Sequence, residues 1–319
     1  MTRPRVAVSS CLLGEPVRYN GGHSRDRFLT DTLDRHVDWV RVCPEMEAGL
    51  GAPRETVRLE SAQDGPRLRT SKTGVDLTDR MTALATERAA DLAVDGYVFK
   101  AKSPTCGIHG VPVHAGEGRP PERRNRGMFA GIVIDAHPLL PVEDEGRLRD
   151  AVLREEFAER IFAGARLRNL LDGEWRPRDL VEFHTRHKLQ LLAHDPSVYR
   201  GVGRIVARAG ATPRAELAAA YAAAFRTCLT RKATVGKNVN VLHHCVGMAP
   251  MDDVPRRHVL DVIAAYRSGL VPLSVPVTLV RHHALDEKAQ DWLRDQSYFT
   301  PYPDDLRLRN HVPIRPRGG

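Results

Sequence analysis

Residues 5–14 read Arg5-Val6-Ala7-Val8-Ser9-Ser10-Cys11-Leu12-Leu13-Gly14. A short apolar run gives way to small residues, a cysteine and a glycine. This is the pattern of a buried strand that ends in a tight turn. The same grammar recurs downstream. Trp39–Val42 is a second apolar run, leading straight into Cys43-Pro44-Glu45. Tyr97-Val98-Phe99 is a third, and Cys106 lies a few residues past it in Lys102-Ser103-Pro104-Thr105-Cys106-Gly107. Between the second and third runs, Leu77, Met81, Leu84, Ala85 and Leu92 recur at helical spacing behind Asp76, a natural N-cap, and Gly96 closes the stretch. Met128–Asp135 fits either a fourth strand or a short helix. Strands alternating with a helix predict an α/β domain with a mostly parallel, Rossmann-like sheet.

From Arg147 onward the pattern changes to helices. Arg147–Arg168 is amphipathic, and Asp172-Gly173-Glu174 interrupts it. Further helices are expected over Leu180–His194 with Asp179 as cap, Ser197–Ala209, Ala215–Thr230 after Thr212-Pro213, Val235–Met248, and Pro255–Ser268 before Gly269. The Pro-rich tail Thr300–Arg317 reads as extended. With 319 residues, 42% hydrophobic and 28% charged, the chain has material for two cores. We place one domain over residues 1–165 and a mostly helical one over 166–319.

The two parts differ in charge. Residues 1–165 carry 24 Lys+Arg against 25 Asp+Glu, whereas residues 166–319 carry 24 against 15, net −1 and +9. Nine of the 14 histidines also fall in the second part. A basic half is the footprint expected of a polyanion binder, although Arg-rich surfaces also arise without a partner. The chain has no apolar run long enough for a membrane helix and no signal-peptide core at its start, so a cytoplasmic location is expected, with no membrane and no evident obligate protein partner.

Five cysteines are too few and too odd in number for a disulfide scaffold. Cys228 and Cys245 sit in helical, apolar settings and read as core. Cys11, Cys43 and Cys106 differ, because each follows a strand and neighbours Gly, Pro or Ser. In an open parallel sheet the carboxyl ends of the strands border one crevice, so three distant cysteines can converge there. The alternative is three unrelated buried thiols. Zinc sites usually contain a close Cys pair, which is absent, whereas iron–sulfur clusters accept wide spacings. Three thiolates on four irons leave one iron open, and a soft cluster suits a sulfur substrate. Glu45 could carry a proton, Ser103 could orient a substrate, and Lys100 and Lys102 could hold phosphate. Capping and solvated faces are the plain alternatives.

These blocks resemble a known family. Ser9-Ser10-Cys11-Leu12-Leu13-Gly14 with Arg18-Tyr19-Asn20-Gly21 is one. Cys43-Pro44-Glu45 with Gly49-Leu50 and Pro53-Arg54 is another. Thr73-Gly74-x-Asp76-x-Thr78 and Lys-x-x-Ser-Pro-x-Cys-Gly over 100–107 complete the set. Together they are similar to the thiouracil desulfurases. The resemblance implies a four-iron, four-sulfur cluster on Cys11, Cys43 and Cys106, whose fourth iron takes the sulfur of a thiocarbonyl. It implies a catalytic glutamate at Glu45 and an active-site serine at Ser103, with Ser10, Arg18, Lys100 and Lys102 as candidates for substrate binding. Asn20 and Thr105 stand where Asp and Ser are usual.

The second half resembles a domain often fused to this one. The matching pieces are His184-Thr185-Arg186-His187-Lys188, Asn238-Val239 to Gly247, Pro272 to Pro276, Gln296, and Pro301-Tyr302-Pro303 to Asn310. The fusion is similar to tRNA 4-thiouridine desulfidases, which implies tRNA containing 4-thiouridine as the partner and the helical domain as its holder. On the residues alone, His184 and Lys188 share a helix face with Arg186 and His187 nearby, and Arg231, Lys232 and Lys237 form a second basic cluster. Tyr199, Tyr298 and Tyr302 could stack on bases, although packed helical His and Tyr are the commoner case. Other readings are an enzyme for free thiolated bases, a non-catalytic iron–sulfur nucleic-acid sensor, and a DNA-repair protein. A photolyase would need a flavin site, and no Gly-rich dinucleotide fingerprint follows a strand.

Overall fold

The computed structural model describes residues 2–115 and 119–312. The chain divides into two compact units, Met1–Phe157 and Ala158–Gly319. The first is an α/β unit with a parallel sheet, and the second is mostly helical.

In the first unit, β1 (Arg5–Ser9), β2 (Asp38–Val42), β5 (Gly96–Phe99) and β8 (Val142–Asp144) form an all-parallel sheet in the order β2-β1-β5-β8. Chain order reverses at β1, which has β2 on one side and β5 on the other. That reversal is where a crevice opens at the carboxyl ends of such a sheet. Val6, Ala7 and Val8 are fully buried, as are Tyr97 to Phe99, which is why these runs read as continuously apolar. Helices α2 (Thr78–Ala90) and α3 (Met128–Ala136) contribute Met81, Ala85, Phe129 and Val133 to the core shared with Tyr97 and Phe99.

The ambiguous stretch at 128–135 is thus a helix. The fourth parallel strand is β8 instead, only three residues long. A second sheet goes beyond the sequence reading: β3 (Val57–Glu60), β4 (Arg67–Thr70), β6 (Val111–His114) and β7 (Glu122–Asn125) lie in the order β4-β3-β6-β7. Its strands are four residues each: β3 and β6 alternate apolar residues over only two positions (Val57 and Leu59, Val111 and Val113), and β4 and β7 are mostly Arg and polar, so none stands out as a strand.

The second unit continues helix α4 (Ala151–Leu171) and adds α5 (Pro177–His194), α6 (Pro196–Val206), α7 (Arg214–Leu229), α8 (Val235–Met248), α9 (Asp253–Arg267), α10 (Ser274–Ala284) and α11 (Asp291–Arg294). Helix α5 starts before the expected cap. Asp179 lies in its first turn and accepts the Arg176 N–H at 2.7 Å. Helix α10 was unforeseen because Pro276 interrupts its pattern, yet a proline in the first turn removes no intrahelical bond. Thr300–Val312 is not extended, since it winds into 3-10 turns at Asp304–Leu306 and Leu308–Asn310. The rest of that expected tail, 313–317, lies outside the described residues.

Candidate functional site

Each strand of the reversal point delivers one cysteine. Cys11 sits on the 3-10 turn Ser10–Leu13 directly after β1, and its carbonyl accepts the Ser24 N–H at 2.8 Å. Gly14 ends that turn at φ +97°, a conformation that favours glycine. Cys43 is the N-cap of α1 (Pro44–Glu47), with Pro44 at the first helical position. The Cys43 N–H donates to Glu47 Oε1 at 3.2 Å, and the Glu47 N–H donates to the Cys43 carbonyl at 2.9 Å.

Cys106 is held differently. The N–H groups opening α3 take the carbonyls of its loop: Gly127 to Gly107 at 2.7 Å, Met128 to Pro104 at 3.0 Å and Ala130 to Thr105 at 3.0 Å. This satisfies orphan donors of the helix and clamps residues 103–107 onto it. The approach is so close that a Cβ on Gly127 would lie 2.6 Å from the Thr105 carbonyl carbon and oxygen.

The three thiols lie within electrostatic reach of one another. Burial pushes Cys11 up to about 11 and Cys106 up to about 12, and it raises Cys43 as well. Cys43 raises Cys11 further, and both raise Cys106. Lys100 and Arg18 oppose the rise at Cys11, and Arg54 opposes it at Cys43. Arg54 in turn is influenced by all three cysteines.

Glu45 joins this set from the first turn of α1. Its Oε2 pairs with Arg54 Nη2, and the two side chains are only 14% and 7% exposed. Its Oε1 accepts from Thr105 Oγ1 at 2.7 Å. Ser103 Oγ lies 2.9 Å from the same hydroxyl, and because Thr105 donates to Glu45, Ser103 is the donor between them. Ser103 Oγ also accepts the Cys106 N–H at 3.1 Å. Ser103, Thr105 and Glu45 therefore form one directed chain of hydrogen bonds, with Thr105 Oγ1 3.6 Å from Cys106 Sγ.

Sequence reasoning missed Arg54 as a site residue, although Pro53-Arg54 was visible as a motif. Its Nη1 donates to the Val17 carbonyl at 2.9 Å and the Gly51 carbonyl at 2.7 Å. The same Val17 carbonyl is 4.0 Å from Cys43 Sγ. Thr105 was noted only as a departure, yet it keeps the hydroxyl that bridges Ser103 and Glu45. Lys100 does not stand ready for phosphate. Its Nζ pairs with Glu145, whose other oxygen accepts the Ala101 N–H at 2.8 Å. Lys102 is exposed at φ +61°, Ser10 is buried, and the Arg18 guanidinium lies 5.5 Å from the Tyr19 ring centroid.

The residues present fit an iron–sulfur group. The donor set is three soft thiols with nearby cations to offset their charge. Arg54 Nε and Tyr97 OH are buried without a hydrogen-bond partner among the described residues. Among the described residues, no three His, Cys, Asp or Glu side chains gather tightly enough for a single metal ion. A four-iron cluster places each thiolate on a separate iron and so spaces them more widely than one ion does.

In the helical unit, two expectations are corrected. His184 and His187 are buried, not on a charged face. Burial lowers His184 to about 4 and holds His187 well below its usual range, so both are neutral and packed. The His187 ring stacks on Phe183 at 4.0 Å, and His184 Nδ1 is 3.3 Å from Tyr221 OH. Tyr298 and Tyr302 are also buried, so neither offers a face to a base. Tyr199 is half-buried and stacks on His184.

The remaining candidates differ in availability. Lys188 is half-buried over the Trp292 ring, and Arg186 is exposed and paired with Glu182 at 2.8 Å. Lys237 is tied to the His194 and Lys232 carbonyls. Arg231 and Lys232 are exposed. Cys228 and Cys245 are buried, as core residues would be. No helix among the described residues is long and apolar enough to cross a membrane.

Residues 6–145 match the family model for 2-thiouracil desulfurase, and residues 188–303 match that for a protein of unknown function, DUF1722. Among curated relatives, the uncharacterized protein YbgA of Escherichia coli (strain K12) is 31% identical over 155 residues, covering 47% of this chain and 90% of that protein. The uncharacterized protein YbbK of Bacillus subtilis (strain 168) is 29% identical over 110 residues, 32% of this chain and 72% of that protein. A solved structure, the [4Fe-4S]-dependent thiouracil desulfidase TudS, is 25% identical, spans 46% of this chain and 94% of its own, and superposes with a TM-score of 0.37.

Proposed function

Because the chain belongs to the 2-thiouracil desulfurase family, with a DUF1722 domain behind the desulfurase domain, we propose that it removes sulfur from 4-thiouridine in tRNA, yielding uridine and hydrosulfide. Cys11, Cys43 and Cys106 would hold a four-iron, four-sulfur cluster. When bound, such a cluster supplies a soft Lewis acid at its one iron without a protein ligand, suited to a thiocarbonyl sulfur.

The chain's own groups supply the proton chemistry. Glu45 accepts a proton from the water that attacks C4 of the base. Arg54 on Oε2 and Thr105 on Oε1 fix the carboxylate in one orientation, so no reorganisation is needed when it acts. Ser103 and Thr105 offer hydroxyl protons along one line of hydrogen bonds. The water oxygen becomes the C4 carbonyl oxygen as the C–S bond breaks. Sulfur departs at the oxidation level at which it arrived, so no electron donor or acceptor is required.

The observation that carries the reading is a carboxyl group, Glu45, held by Arg54 and Thr105 beside a cysteine in a three-thiol cradle. The tRNA part is supported by the net charge of +9 over residues 166–319 and by the exposed Arg231 and Lys232. A base inside RNA must leave its stack to reach such a site.

The test is anaerobic reconstitution with iron and sulfide, followed by tRNA containing 4-thiouridine. Loss of thiocarbonyl absorbance would be followed alongside nucleoside analysis for uridine. Cluster-dependent conversion is expected. An intact cluster with no conversion of tRNA overturns the reading, and 2- and 4-thiouracil run in parallel decide whether free bases are the substrate instead.

A further inference from the structure

The helical unit contains a cavity of about 220 Å³ between α10 and the 299–310 segment. Its walls include Phe299, Tyr302, Thr278, Arg281, Arg307 and Asn310. This volume is below the roughly 300–1,000 Å³ of pockets for drug-sized ligands. It admits one small group such as a phosphate, not a whole nucleotide or a longer segment.

The chemistry of the walls is mixed in a specific way. Phe299 and Tyr302 are nearly fully buried, and Arg309 lies over the Tyr302 ring at 5.9 Å, so these rings close the cavity floor rigidly and offer no free face. Arg281 and Arg307 bring two guanidinium groups. Against them stands Asp304, which is largely exposed and reaches only 3.8 Å from Arg281 Nη1. Arg307 is exposed, and among the described residues no acidic side chain is paired with it.

Arg307 is also strained. It adopts φ +53° and ψ +36° between the two 3-10 turns, a left-handed conformation that costs a non-glycine residue energy. Glycine would occupy this position without strain, so the backbone gives no reason for an arginine. Strained residues of this kind concentrate at ligand clamps. The segment is braced by Arg166, whose Nη1 donates to the Pro301 carbonyl at 2.8 Å, and by Arg309, another lining residue, over the Tyr298 ring.

We infer that this cavity binds one phosphate group of a nucleotide, held between Arg281 and Arg307, with the base and ribose left outside. Guanidinium groups match phosphate oxygens in geometry as well as charge. The inference extends the RNA-binding part of the function proposed above, giving that partner a defined contact point. The phosphate unit belongs either to an RNA chain or to a free nucleotide.

The test uses the full chain without cluster or thiolated substrate, so its outcome is independent of desulfidase activity. Binding of uridine monophosphate, uridine and a short single-stranded RNA would be measured by calorimetry and by fluorescence anisotropy. The informative variant is Arg307→Gly, which removes the cation while relieving the positive φ, so its melting temperature should not fall. Arg281→Ala and, as an exposed control outside the cavity lining, Arg257→Ala complete the set.

We expect the phosphorylated ligand to bind at least tenfold more tightly than uridine, with that preference lost in Arg307→Gly and Arg281→Ala and kept in Arg257→Ala. If only the RNA shows the loss, its source is the RNA chain; if the monophosphate shows it too, a free nucleotide fits as well. Equal binding of uridine and its monophosphate, equal loss in all three variants, or no binding of either phosphorylated ligand overturns the inference.

Discussion

Arg54 and Glu45 form a buried ion pair nine residues apart in sequence, and the same arginine is within electrostatic reach of Cys11, Cys43 and Cys106. One cation thus serves both the carboxylate and the thiol cradle. Arg54→Met should leave Glu45 buried without its partner, at a cost of about 3–5 kcal/mol in stability. Arg54→Lys should recover part of that loss but not the orientation, because an ammonium lacks the fork that also reaches the Val17 and Gly51 carbonyls. Urea unfolding of the variants checks the first statement, and turnover of Arg54→Lys checks the second. Glu45→Gln should keep the iron content and lose roughly 10²–10⁴ in rate. Normal turnover in that variant would remove Glu45 from the chemistry.

Thr105 carries the link between Ser103 and Glu45. Thr105→Ser keeps the hydroxyl and should retain most activity. Thr105→Val is close in shape but removes a hydrogen bond to an ionised group, worth about 1.5–3 kcal/mol. If that bond matters equally in the transition state, the rate should fall by roughly 10–100-fold. Comparing kcat of the two variants, with iron content as the control, isolates the hydroxyl.

Gly127 should be intolerant of a side chain for a reason far from its own neighbours in sequence. Gly127→Ala would force α3 away from the Thr105 carbonyl. Overpacking of this kind costs about 1–3 kcal/mol. The melting temperature should fall, and because the same contact holds Cys106, iron retention should fall with it. An unchanged iron content on a destabilised protein would show that the cradle does not depend on this clamp.

The neutral histidines make stability pH-dependent. His184 titrates at about 4 in the folded chain against 6.5 ordinarily, chiefly through burial, and burial also holds His187 well below its usual range. The unfolded chain therefore binds protons first as pH falls. Stability is fully present above pH 6.5 and declines as pH drops from there towards 4. Glu159 adds to the loss at lower pH. Burial raises its carboxyl, but His194, Arg309 and Gln190 outweigh this and hold it at about 2, so its contribution fades between 4.5 and 2. Urea midpoints of the full chain measured from pH 8 to 5 should fall steadily below 6.5, and a flat profile would contradict the burial of these rings.

RNA affinity should weaken with salt, because contacts to phosphate release counterions. Arg231→Ala and Lys232→Ala should each weaken binding and reduce the slope of log affinity against log salt by about one unit if they touch phosphates. Filter binding at several salt concentrations reads both effects.

The sequence by itself determined the three strand-end cysteines, the carboxylate two residues beyond Cys43, and most helices. These depend on local rules: continuous apolar runs for buried parallel strands, helical spacing, and caps. Only the tertiary structure decided that Glu45 meets Thr105, sixty positions away, because that contact follows from β1 lying between β2 and β5. It likewise revealed Arg54 as a bridge and Gly127 as a point of backbone contact. The second sheet stayed hidden because its strands are only four residues long, too short for the alternation in β3 and β6 to stand out, while β4 and β7 are mostly charged or polar. The histidines of α5 were misread for a related reason. Periodicity locates a helix, but α5 is packed on several sides, and His184 and His187 are buried by helices that no local pattern places against them.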